Sequence, residues 1–256
     1  MAAKLARFTD SIQGLIRPFS SPGRAALFIL LSTPAAVAAG LAAGRLWLPL
    51  IQALVFYPLF FGLLLGGQMR RALWSALGWA FWMAVLVAGL SYALPEYCQH
   101  RILNGEAYRA EMLDWIRTGI GAEGNIRLFL PQHLMHLAAF VLLTLLSAGF
   151  LSLVLGSALM NYMAFYVGTL LLQSADPLPL LLIAWPPWAA LRVIAFIFLA
   201  TGLSAWLLER FNLCQAGGQD RRPYLAVGSA LIGADILLKW LLAPSWREWL
   251  NRLTQC

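Results

Sequence analysis

Five polar side chains interrupt apolar stretches of this sequence, and their types are those that handle protons, anions or metal ions. His133 and His136 stand three apart in FLPQHLMHLAAF (residues 129–140). Asp235 and Lys239 stand four apart in GADILLKW (residues 233–240), and Arg192 lies in WPPWAALRVIAF (residues 185–196). An i,i+3 histidine pair shares one helix face and suits proton transfer or, with a third ligand, a metal ion. His100 would be the histidine nearest to supplying that ligand, with Cys98 and Glu96 beside it. An acid four residues before a lysine stacks the two on one helix face in the better orientation for an ion pair. Each charge inside a membrane costs several kcal/mol unless it is paired or wet, so Arg192, Asp235 and Lys239 mark a functional region. Together with His133 and His136 they are read as an outward-facing substrate or pathway site for an anionic or protonatable ligand. The competing reading is structural, with Asp235 neutralising Arg192 or Lys239 and the histidines lying at the membrane interface.

Other chemistries find less support. There is no Walker A loop, kinase motif or dinucleotide fingerprint, and the three cysteines, Cys98, Cys214 and Cys256, are too far apart for a C-x-x-C motif. LGSALM and VGSALIGA place Ser157 and Ser229 beside glycines, a little like rhomboid proteases. The catalytic histidine of that family follows its serine, whereas no histidine follows His136 here. No cofactor is indicated.

The elements that must position these residues are membrane helices. The chain has 256 residues, of which 61% are hydrophobic and 11% charged, and its mean hydropathy is +0.74. A soluble domain has roughly a quarter of its residues charged, and here the apolar residues gather in blocks of spanning length. The net charge of +7 is spread over short connections with no basic stripe, which argues for anionic lipid headgroups and against nucleic acid.

Hydropathy and breakers predict seven spans, near 25–43, 46–67, 72–94, 131–156, 158–173, 186–208 and 224–243. The run from Leu134 to Leu172 is too long for one crossing and is divided near Gly156, Ser157 and Asn161. Pro177, Pro179, Pro186 and Pro187 predict a broken or re-entrant segment over 177–185, with Pro186 or Pro187 in the first turn of the next span. The glycine pairs Gly40/Gly44 and Gly62/Gly66 have the spacing of closely packed helices.

Amphipathic segments flank the spans. Residues 1–24 form a cytoplasmic segment in which Leu5, Phe8, Ile12, Leu15 and Ile16 share a face. The polar stretch 95–130 contains a helix capped by Asn104 and stopped by Gly119 and Gly121, with Tyr108, Met112, Trp115 and Ile116 on one face. Residues 244–256 form a separate surface helix, with Ser245 and Glu248 as its capping box.

With the N-terminus in the cytoplasm, nine Lys and Arg near membrane ends lie inside and seven outside. The sequence thus predicts an all-α polytopic protein of the inner (plasma) membrane: residues 25–243 form one transmembrane domain, with residue 220 inside and residues 100 and 250 outside. Pro131 opens the fourth span, leaving the histidines at its lip to hydrogen-bond the cover helix through Glu106, Glu111 or Asp114. The function expected is a transport-type or complex-forming subunit, energised by other subunits or a separate protein. A metal-assisted intramembrane enzyme acting on a lipid-linked substrate, and a structural scaffold, are the alternatives.

Overall fold

The computed structural model describes residues 21–174, 176–213 and 220–254, which form ten helices and no strand. Seven helices are long and apolar enough to cross a membrane: α1 (Pro22–Ala43), α2 (Trp47–Leu65), α3 (Met69–Ala93), α6 (Ile126–Ser147), α7 (Phe150–Leu171), α9 (Pro187–Arg210) and α10 (Arg222–Thr254). The chain is an all-α polytopic membrane protein. Three short helices, α4 (Pro95–Gln99), α5 (Gly105–Thr118) and α8 (Pro177–Ala184), cover one end of the bundle. The amphipathic segment expected over residues 1–24 lies almost wholly outside the described residues, as do Cys214 and Cys256.

Helix ends follow local chemistry. Ser21 caps α1 by accepting from the Arg24 N–H at 3.3 Å, with Pro22 in the first turn. Asp176 caps α8 in the same way through the Leu178 N–H. The prolines act as anticipated, with Pro186 preceding α9 and Pro187 in its first turn.

The division of the long apolar run falls elsewhere than expected. The chain turns at Ala148 and Gly149, both left-handed (φ 49° and 97°), while Gly156, Ser157 and Asn161 lie within α7. An isolated glycine only weakens a helix, whereas a turn needs residues that tolerate positive φ. Ser147 secures the turn, its Oγ accepting from the Leu151 N–H at 2.8 Å.

Asn161 instead faces Gln52 of α2 in the buried centre. Gln52 donates to Asn161 Oδ1 at 3.1 Å, and Asn161 donates to Gln52 Oε1 at 2.7 Å. This reciprocal amide pair fixes the register of α2 on α7, since an unpaired amide in an apolar interior is costly. We expect Gln52→Leu to lose about 1–3 kcal/mol in denaturant unfolding of the detergent-solubilised protein. Adding Asn161→Leu should restore part of it by removing the orphaned partner, and additive losses would contradict the pairing. Two turns on from Asn161, Gly168 brings α7 against the Ala88 carbonyl of α3, where a side chain would find no space.

The two ends of the chain's later half also depart from expectation. α6 begins at Ile126, capped by Asn125 accepting from the Arg127 N–H at 3.0 Å, so Pro131 sits inside the helix. Residues 244–254 are the last turns of α10, which runs unbroken through Pro244. Tertiary contacts offset the hydrogen bond that Pro244 cannot make. Arg247 donates to the carbonyls of Trp115, Ile116 and Arg117 at 2.9–3.1 Å, closing the C-terminal end of α5. Trp246 donates to the Ile183 carbonyl of α8 at 2.9 Å. α10 therefore clamps two of the three cover helices, α5 and α8. In α5 itself, Met112, Trp115 and Ile116 are buried as the periodicity predicts, but Asn104 is left-handed and makes no capping bond.

Candidate functional site

α9 and α10 make the most extensive helix pair in the bundle, and their contact faces carry the charged residues. Arg192, at the sixth position of α9, reaches Asp235 of α10 in a two-pronged pair, Nε to Oδ2 at 2.9 Å and Nη2 to Oδ1 at 3.0 Å. The planar guanidinium matches the carboxylate edge, the geometry in which such pairs are strongest. Asp235 is fully buried, whereas the Arg192 side chain keeps 27% of its exposure. Its third nitrogen, Nη1, has no protein partner among the described residues.

His133 approaches the same carboxylate from α6. Its Nε2 lies 3.3 Å from Asp235 Oδ2 but out of line for a hydrogen bond, leaving a buried nitrogen without a partner among the described residues. Starting α6 at Ile126 places His133 about 10 Å and His136 about 15 Å along its axis. They stand inside the bundle and not at its lip. The expected bonds from the histidines to α5 do not form: Glu106 pairs with Arg109 at 2.7 Å, and His133 turns to Asp235.

The pairing expected between Asp235 and Lys239 is also replaced. Lys239 Nζ bonds Glu123 Oε1 at 2.8 Å and lies 4.4 Å from the centre of the Phe129 ring. Glu123 belongs to the glycine-rich loop GAEGN (residues 121–125) and is the participant that hydropathy and motif reading missed. Its one signal is its place, an acid immediately before the span that carries the histidines. Arg192 engages both Asp235 oxygens, and Lys239 is answered by a second carboxylate that the loop delivers.

These groups form the polar end of a cavity of about 1150 Å³. Arg192, Lys239, His133, His136 and Gln132 line it together with Tyr108, Glu111, Tyr162 and Glu123. The remainder is apolar, bounded by α3, α6, α7 and α9, and the break between α8 and α9 borders it through Trp185 and Pro186. Desolvation pushes the Tyr108 phenol well above its ordinary value, so the hydroxyl stays protonated, and it donates to Met163 Sδ at 3.2 Å.

All five residues singled out in the sequence therefore meet at one cavity, four lining it and Asp235 directly behind Arg192. His100 does not join them and stands exposed at the end of α4. Among the described residues no three His, Cys, Asp or Glu side chains gather closely enough to hold a metal ion. Comparison with protein-family models, curated proteins and solved structures gives no match.

Proposed function

We propose that this chain is a transport-type membrane protein, acting alone or as a subunit of a complex, whose polar site takes a ligand bearing negative charge. With the N-terminus in the cytoplasm of a bacterial-type inner membrane, that site lies in the outer half of the bilayer. The observation that carries the reading is Arg192: Asp235 holds its Nε and Nη2, which orients the unengaged Nη1 group without saturating it. A positioned guanidinium with free donors at a cavity wall is an anion-binding group. Lys239 and the two histidines add donors at the same end, and the interruption between α8 and α9 is the kind of broken helix found at transport sites. No ATP-binding motif accompanies them, so the energy for directed movement comes from a gradient or from another chain.

The test is movement of two probes in reconstituted vesicles, radiolabelled glycerophosphate across the membrane and fluorescent phosphatidylglycerol between leaflets. The proposal expects protein-dependent movement of at least one probe, abolished by the charge-balanced double change Arg192→Met with Asp235→Asn. If both probes move no faster than in protein-free vesicles, the scaffold reading replaces it.

A further inference from the structure

The cavity does not end at its polar groups. Four residues of its lining, Trp74, Phe81, Val85 and Tyr92, are among the exposed apolar residues of α3, with 44–71% of their surfaces accessible. The cavity thus opens sideways, along the lipid-facing side of that helix. From Trp74 to Tyr92 is about 27 Å at 1.5 Å per residue, close to the roughly 30 Å thickness of bilayer hydrocarbon. The slot is apolar along this length, and at its polar end Arg192 Nη1 has no partner among the described residues.

We infer that the ligand of this site is an amphiphile with a phosphodiester headgroup, entering from the membrane with its chains in the α3 slot and its phosphate on Arg192. This inference rests on the anion reading above and adds the ligand's class and its route. Three observations choose the occupant. The first is volume: the 1150 Å³ cavity is larger than the roughly 300–1,000 Å³ of sites for drug-sized ligands. The second is complementarity. An apolar helix or a bare acyl chain would leave the unengaged Arg192 Nη1 unanswered, whereas a phosphate oxygen accepts from it. The third is charge: Glu111 faces the cavity outside every ion pair among the described residues. A single negative charge is tolerated beside it better than the two of a phosphomonoester.

The experiment is native mass spectrometry of the full chain released from nanodiscs, with three probes: phosphatidylglycerol, diacylglycerol of the same chains, and glycerophosphoglycerol, the headgroup alone. Phosphatidylglycerol should be retained at one per protein, and the other two about tenfold more weakly or worse, the worth of one charge-assisted hydrogen bond or of the buried chains. Two variants separate the ends of the site. Arg192→Met with Asp235→Asn should lower phosphatidylglycerol retention to the diacylglycerol level. Gly156→Leu fills the slot at a position where an added Cβ meets only Phe140 Cε2, at 3.9 Å, and should weaken phosphatidylglycerol but not glycerophosphoglycerol. Glycerophosphoglycerol bound as tightly as phosphatidylglycerol would overturn the amphiphile and leave the anion reading standing. Diacylglycerol bound as tightly would overturn the headgroup assignment, and retention of none of the three would overturn both inferences.

Discussion

Asp235→Asn alone should destabilise the protein by about 3–5 kcal/mol, because it leaves Arg192 charged in a low-dielectric site with its carboxylate gone. Combining it with Arg192→Met should recover most of that loss, so that the double-mutant cycle is strongly non-additive. The two hydrogen bonds of 2.9 and 3.0 Å between them are the structural reason. Adding Lys239→Met should recover nothing further, since Lys239 is bound to Glu123. Thermal and denaturant unfolding in mild detergent measures all three. A silent Asp235→Asn, or rescue by Lys239→Met, would show that the pairs have been assigned wrongly.

Breaking the second pair should have a large and unequal effect. Lys239→Met leaves Glu123 on a loop flanked by Gly119, Gly121 and Gly124, which lets the carboxylate swing out to water. Glu123→Ala leaves Lys239 on a packed helix, 3% exposed, beneath the Phe129 ring. We expect about 3 kcal/mol or more for Glu123→Ala and about half of that for Lys239→Met. Hydrogen exchange separates the mechanisms. Lys239→Met should expose the amides of residues 119–125 while leaving α10 protected, and unchanged protection of that loop would mean that the lysine does not tether it.

Much of this arrangement is legible in the amino-acid sequence. Charge within an apolar run is conspicuous because the bilayer penalises it, and Arg192, Asp235 and Lys239 stand out for that reason. Seven helices follow from length and hydropathy, and the proline cluster marks the break before α9. Partner choice is not legible. Lys239 sits one turn from Asp235 and yet bonds a loop residue more than a hundred positions away, because the fold assigns Asp235 to Arg192. Boundaries inside uniformly apolar sequence are equally hidden. Hydropathy carries no signal at Ala148–Gly149, where left-handed backbone makes the turn. α6 extends five residues before Pro131, through a segment whose arginine argued for a place outside the span. Pro244 marks a boundary by local rules that the contacts of Trp246 and Arg247 override. Gln52 and Asn161 are individually ordinary in sequence and become significant only once α2 and α7 face each other.

The claim at the centre of this account is that a negatively charged ligand occupies the cavity against Arg192. It is tested most directly by placing the photoreactive residue benzoylphenylalanine at Trp185, an aromatic position in the cavity wall, and irradiating the protein in its native membrane. The account predicts one dominant adduct that contains phosphorus, in a yield that falls at least several-fold when Arg192→Met and Asp235→Asn are combined. An adduct free of phosphorus, or a mixture of bulk lipids whose yield ignores the double change, would contradict it.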